Sequence, residues 1–152
     1  DRFRASKKER TEYALEDISV NFFDQLKQAF RDMVTNGREV NITLNVDENC
    51  DFDMENDAVG TRDMTLSDEL DEWVLENAFK GNGEIRSGGN GLNVYMRVPV
   101  YDPDTGRPCS IKSETGKLRR FASGLLKDKG YTVSEKAASG QYIQLLIQNS
   151  RE

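Results

Sequence analysis

The chain has 152 residues, of which 36% are hydrophobic and 32% charged, and its formal net charge is −6. This length suits one folded domain, and no apolar run approaches the roughly 20 residues that a transmembrane helix requires. Because the chain contains no histidine, Ser-His and Cys-His catalytic pairs and histidine metal sites are excluded, and an enzyme would have to use carboxylates, Lys, Tyr or a hydrated metal ion.

The N-terminal part of the chain predicts a charged arm followed by a helix. Residues 1–15 carry many charges and few large apolar groups, which is typical of a flexible arm. Residues 16–152 are predicted to form a single α+β domain. From about Ile18 to Asn36, apolar residues recur at helical spacing along one stripe. This spacing predicts the first helix, with its end at Asn36 and Gly37.

The middle of the chain predicts a strand, an acidic loop and a second helix. Apolar and polar residues alternate over Val40–Val46, which predicts a half-buried strand. The acidic loop, Asp47–Asp57, follows it. The second helix is predicted over about Leu66–Phe79, with Thr65 or Ser67 as its N-cap. Acidic residues fill its first turns, where the helix dipole favours them.

The C-terminal half predicts hairpins around a third helix. That helix is predicted over about Thr115–Lys129, with Gly130 at its end. Turn-forming residues separate strands predicted at Glu84–Arg86, Leu92–Tyr101, Cys109–Lys112, Tyr131–Lys136 and Tyr142–Gln148. The element order is therefore α-β-α-β-β-β-α-β-β. Because hairpins dominate, the predicted fold is α+β, with a largely antiparallel sheet and about three helices packed on one face.

The apolar faces of the three helices define a predicted core. We interpret the aromatic residues of the first helix as part of this core and not as a ligand site. The side chains expected to be buried against one face of the sheet are Phe22, Leu26, Phe30, Trp73, Leu118, Phe121 and Leu125.

Charge is distributed unevenly along the chain. Residues 1–10 have a net charge of +3, residues 11–80 of −13 and residues 81–152 of +4. The acidic part would repel the phosphates of a nucleic acid, while the C-terminal part could attract them. The acidic part therefore favours a basic partner, and the C-terminal part leaves a nucleic-acid partner open.

The acidic loop is the sharpest candidate site. In an extended loop, alternate carboxylates would project to one side, where Mg²⁺ or Ca²⁺ could find oxygen ligands. The spacing fails the EF-hand pattern, however, because a loop beginning at Asp51 has Asn56 and Arg62 where glycine and glutamate are required. We therefore expect no metal and no cofactor, and interpret the loop as a protein-binding surface. Its residues are Asp47, Glu48, Asp51, Asp53, Glu55 and Asp57.

The C-terminal half offers a different candidate, a nucleic-acid-binding surface. Aromatic rings stack on bases and basic groups hold phosphates, so a strand face and the third helix could together bind a single strand. The residues of this alternative site are Tyr95, Arg97, Lys117, Arg119, Arg120 and Tyr142.

These patterns favour a non-enzymatic, acidic binding or regulatory module that acts through protein–protein contacts. Its expected partner is a protein with a basic surface, and an accessory factor, including one of viral origin, fits this description. The nucleic-acid-binding module is one alternative. A metal-dependent phosphoryl-transfer enzyme using Asp51 and Asp53 is the other. Cys50 and Cys109 lack CxxC spacing, which favours free thiols in the cytoplasm or another reducing compartment. No membrane partner is expected.

Overall fold

A computed structural model describes residues 2–88 and 91–150 of the chain. It divides the protein into two compact units, Asp1–Thr35 and Asn36–Glu152. The first unit consists of a helix. The second contains the strands and the remaining helices that the structure describes.

Helix α1 spans Arg2–Asn36. It begins well before the predicted start at Ile18, so the predicted arm is helical backbone from Arg2 onward. It ends where the sequence predicts, because Gly37 takes a φ of +84°, a left-handed conformation that favours glycine. Among the helices that the structure describes, none is long and apolar enough to cross a membrane.

The apolar stripe of α1 is exposed. The prediction that Phe22, Leu26 and Phe30 are buried is wrong, since they are 58%, 49% and 57% exposed. Helical periodicity shows that one face of a helix is apolar, but it does not say what that face contacts. The large exposed side chains of this stripe are Ile18, Val20, Phe22, Phe23, Leu26, Phe30 and Val34.

The second unit is an α+β fold built around a mixed five-stranded sheet. Its elements are β1 (Arg38–Val46), β2 (Ala58–Val59), β3 (Met64–Thr65), α2 (Leu66–Asn77), β4 (Gly83–Gly88), β5 (Gly91–Val98), α3 (Ile111–Leu126), β6 (Tyr131–Ser139) and β7 (Tyr142–Asn149). The strand order in the sheet is β4-β5-β1-β7-β6, and β2 and β3 form a separate two-stranded sheet.

The five-stranded sheet is largely antiparallel, as predicted. Strand β1 lies at its centre, antiparallel to β5 on one side and parallel to β7 on the other. Each of α2 and α3 leads into a hairpin, β4–β5 or β6–β7. The second strand of each hairpin pairs with β1. The two helix–hairpin segments thus contribute equal numbers of strands to the two sides of β1.

The structure has one short strand pair that was not predicted, and it lacks one strand that was. The short pair β2–β3 was not predicted, because two-residue strands carry no periodic signal. The strand predicted over Cys109–Lys112 is wrong, since α3 already begins at Ile111. The Ser110 hydroxyl caps that helix by accepting a hydrogen bond of 3.0 Å from the Ser113 backbone N–H.

The core lies between one face of the sheet and helices α2 and α3. Alternate residues of β1, such as Ile42 and Leu44, are fully buried there. The prediction that Leu118 is buried is confirmed. Trp73 of α2 and Phe121 of α3 are partly buried and stack with ring centroids 5.9 Å apart, so they join the two helices over the sheet.

Candidate functional site

The sheet face opposite α2 and α3 carries mainly polar side chains, and we call it the polar face. Strand alternation places Asn41 on this face, between the buried residues Val40 and Ile42. The register puts Asn41 opposite Tyr95 of β5 and opposite Tyr142 of β7. Tyr95 and Tyr142, on the two strands that flank β1, therefore lie on either side of Asn41 in a row across the centre of the sheet.

This row lines a cavity of about 670 Å³, a size typical of ligand sites. Tyr95 and Tyr142 are 37% and 38% exposed. The Thr43 hydroxyl and the Gln144 side-chain amide donate hydrogen bonds of 3.2 and 3.1 Å to the Tyr142 hydroxyl. These two bonds hold the pKa of Tyr142 below its usual range. They also fix the position of its hydroxyl at the cavity wall.

The charged groups around the cavity are paired with one another. Arg97 donates to the Gly37 carbonyl at 2.9 Å and lies 3.3 Å from a Glu39 carboxylate oxygen. Arg86 forms an ion pair of 2.6 Å with Glu84. Its guanidinium lies 5.3 Å from the centre of the Tyr95 ring, a cation–π contact. The cavity is thus polar and aromatic without a strong local charge.

Asn41 has an unusual environment within this row. Its backbone N–H donates to the Gln141 carbonyl at 2.9 Å. Its side-chain Oδ1 is buried and accepts no hydrogen bond from any residue that the structure describes. A buried acceptor without a donor costs about 1–3 kcal/mol. Since the atom is buried, a ligand in the cavity would reach it only if the Asn41 side chain moved.

Buried apolar and exposed acidic side chains alternate along the first part of the acidic loop. Phe52 and Met54 are buried in the core, while Asp51, Asp53 and Glu55 between and beside them are exposed. With Asp47 and Glu48, these three carboxylates line a second cavity of about 510 Å³. Five of the six acidic residues that the sequence singled out therefore border one cavity, and Asp57 is not part of its lining.

Two carboxylates of the loop hold its own backbone. Asp53 accepts hydrogen bonds from the Asn56 side chain at 2.8 Å and from the Glu55 backbone at 3.0 Å. These bonds hold the pKa of Asp53 below its usual range. Asp57 accepts from the Asp53 backbone N–H at 2.9 Å. Within the described residues, no group of three or more Cys, Asp or Glu side chains is placed to hold a metal ion.

One acidic residue of α2 has a different environment from its neighbours. Glu69 is only 3% exposed, and its carboxylate accepts hydrogen bonds of 3.1 and 2.6 Å from Arg62. Arg62 also contacts Glu72, and the two carboxylates raise the pKa of its guanidinium. Part of the acidity of the middle region is thus structural, because it joins α2 to the loop before it.

The alternative nucleic-acid set is divided between two faces of the sheet. Tyr95, Arg97 and Tyr142 line the polar-face cavity. Arg119 and Arg120 of α3 line a third cavity, whose wall includes Leu145, a residue buried on the helix-covered face. In addition, Lys117 of that set is paired with Glu114 at 2.9 Å.

Sequence reasoning missed Asn41 and Gln141, which complete the polar-face cavity. The alternation of Asn41, Thr43 and Asn45 with apolar residues was visible and placed all three on one face. It gave no sign of which strands would flank β1. The pairing with both tyrosines depends on contacts about 50 and 100 residues away, which no local pattern encodes.

Comparison with known proteins identifies one family. The model of the family described as domain of unknown function DUF6175 matches residues 38–147. This range begins with β1 and ends within β7, and it contains all the residues of the polar-face cavity. No curated protein and no solved structure matches the chain. Because the match covers most of its length, the chain belongs to this family.

Proposed function

We propose that this member of the family is a non-enzymatic binding module that acts through protein–protein contacts. In this proposal, the polar-face cavity receives an extended segment of another protein. The row of Tyr95, Asn41 and Tyr142 carries the proposal, because it places two partly exposed rings beside an amide in one cavity. Tyrosine is enriched in protein interfaces, since its ring offers a large rigid contact area and its hydroxyl a hydrogen bond.

The paired charges of the cavity support a polypeptide ligand. Arg97 and Arg86, the cations in and beside the cavity, are held by Glu39 and Glu84. A phosphate backbone would need cations that are free to bind it. A peptide is neutral along its backbone and presents an N–H at every residue except proline.

Selection of peptides on the purified chain tests this proposal. We expect peptides from a phage-displayed random library to bind the polar-face cavity, with dissociation constants measurable by calorimetry. Tyr95→Ala and Tyr142→Ala should each weaken the selected peptides by about tenfold or more, as truncation of interface aromatics does. Tyr101→Ala is the matched control, because Tyr101 is 50% exposed but lies outside the cavity. Equal weakening by all three variants, or failure to select any peptide, would contradict the proposal.

The acidic loop has a separate role in the proposal, the attraction of a basic partner. Exposed carboxylates accelerate encounter with an oppositely charged protein more than they strengthen the final complex. Asp51 and Glu55 are suitable for a test because they are exposed. Asp53 and Asp57 are unsuitable, because their neutralisation would also remove hydrogen bonds that hold the loop.

Association kinetics measure this attraction. With a selected peptide extended by lysines as the probe, Asp51→Asn combined with Glu55→Gln should slow association about two- to tenfold at low salt. The difference should shrink at high salt, where the Debye length is short. The control combines Asp71→Asn with Glu76→Gln, exposed acids of α2 with the same total charge. If both double variants slow association equally, net charge and not the loop attracts the partner.

The two cysteines fit a module that works in a reducing compartment. Cys50 is buried and Cys109 is partly buried, and both are free thiols. Burial raises the pKa of the Cys109 thiol, which keeps it protonated near neutral pH. We therefore propose that neither thiol takes part in binding.

A further inference from the structure

The cavity beside α3 has a charge opposite to that of the whole protein. It has a volume of about 450 Å³, and its charged lining consists of Lys112, Arg119, Arg120 and Glu135. These three cations and one carboxylate give a local charge of +2, on a chain whose net charge is −6. Gly116 lines the cavity and adds no side chain to it, and only the Arg120 guanidinium would approach a side chain added there.

The cations of this cavity are not engaged within the protein. In the part of the chain that the structure describes, the side chains of Lys112, Arg119 and Arg120 make no hydrogen bond or ion pair. By contrast, Arg62 and Arg86 each pair with carboxylates. Three unpaired cations around one concave surface repel one another, and the single carboxylate of the lining, Glu135, does not balance their charge.

We propose that this cavity binds the phosphate group of a small molecule. Guanidinium groups suit phosphate because their planar N–H donors reach two of its oxygens at once, and a lysine adds a compact charge. The local charge of +2 balances a phosphate dianion. The cavity lies beside the first turns of α3, where the helix dipole also favours negative charge. Its volume exceeds that of inorganic phosphate, which leaves space for the rest of the molecule.

A small phosphorylated molecule fits better than a nucleic acid. The tyrosines that could stack on bases, Tyr95 and Tyr142, lie on the opposite face of the sheet from α3. A strand held by Arg119 and Arg120 could therefore not stack on them. In addition, residues 11–80, with a net charge of −13, would repel a polyanion more strongly than a single phosphate.

Titration of the full chain with inorganic phosphate and with pyrophosphate tests the proposal. We expect both to shift the amide resonances of Ser113 and Gly116 in NMR spectra, with a saturable response. Arg119→Gln combined with Arg120→Gln should weaken binding about tenfold or more, because both guanidinium forks are lost. Glu135→Gln should strengthen it about two- to fivefold, because a like charge is removed.

The matched control is Lys127→Gln combined with Lys129→Gln, which removes the same charge from exposed residues next to α3. We expect this variant to weaken binding less than about twofold, since exposed charges outside the cavity are screened. Equal weakening by the two double variants would overturn the site. So would binding of a single-stranded oligonucleotide through Arg119 and Arg120 when phosphate and pyrophosphate produce no saturable shift. These experiments do not involve the polar face, so their failure would leave the proposed peptide site intact.

Discussion

Leu70→Ala is expected to lower the free energy of unfolding of the second unit by about 2–5 kcal/mol. Leu70 is fully buried in α2 and belongs to the core between helices and sheet. Removing its terminal carbons loses their burial and leaves a cavity that the surrounding side chains fill only partly. Urea unfolding followed by circular dichroism would measure the change as a lower midpoint with an unchanged slope.

Leu75→Ala provides a control in the same helix and with the same chemical change. Leu75 is 58% exposed, and leucine and alanine both have high helix propensity. This substitution should therefore change the free energy of unfolding by less than about 0.5 kcal/mol. A similar loss for Leu70→Ala and Leu75→Ala would mean that α2 does not cover the sheet as described.

The result for Leu70 also bears on function. Helix α2 packs on β4 and β5, and the opposite side of β5 carries Tyr95 and Arg97 of the polar-face cavity. The helix-covered core therefore determines how these side chains are placed. Leu70→Ala should weaken peptide binding only under conditions in which the variant is partly unfolded.

The sequence predicts the elements of the second unit well because their periodicities are strong. Alternation in β1 identified both a buried face and a polar face, and both are present. Capping chemistry offered Thr65 or Ser67 as the N-cap of α2, and in the structure it is the Thr65 side chain that accepts a hydrogen bond from the Asp68 backbone N–H. These signals are local, so a single sequence contains them in full.

Contacts that depend on distant partners could not be predicted in the same way. The amphipathic spacing of α1 was correctly recognised as helical, but its assignment to the core was wrong because periodicity does not identify a packing partner. The parallel pairing of β1 with β7 joins segments about 100 residues apart. The candidate peptide site depends on such pairings, so the sequence yielded its two tyrosines but neither Asn41 nor the grouping of the three residues.

Two glycines also show what local sequence predicts and what only the fold determines. Gly37 and Gly130 were both predicted as helix ends, and both have left-handed backbones, with φ of +84° and +83°. Their surroundings differ. A Cβ at Gly37 would lie 2.6 Å from the Val98 carbonyl oxygen and 3.0 Å from the Phe79 ring, whereas a Cβ at Gly130 would meet nothing within 4 Å. Only the fold reveals this difference.

We therefore expect Gly37→Ala to be much more destabilising than Gly130→Ala. At Gly130 the only destabilising effect of alanine is its left-handed backbone conformation, which costs about 1–2 kcal/mol. At Gly37 the same backbone cost applies, and the clash with Val98 adds about 1–3 kcal/mol, as overpacking does. Chemical unfolding of the two variants beside the unsubstituted chain would measure this difference.

Gly37→Ala has a second expected consequence, at the polar-face cavity. The Gly37 carbonyl accepts a hydrogen bond of 2.9 Å from Arg97, which lines that cavity. Relief of the clash requires movement of the backbone at Gly37 or at Val98, next to Arg97, so the guanidinium should lose its position. Peptide binding at low temperature, where the variant remains folded, should then weaken, while Gly130→Ala binds normally. Equal destabilisation by the two substitutions would show that the added methyl group at Gly37 causes no clash. The close approach of Gly37 to Val98 would then be refuted.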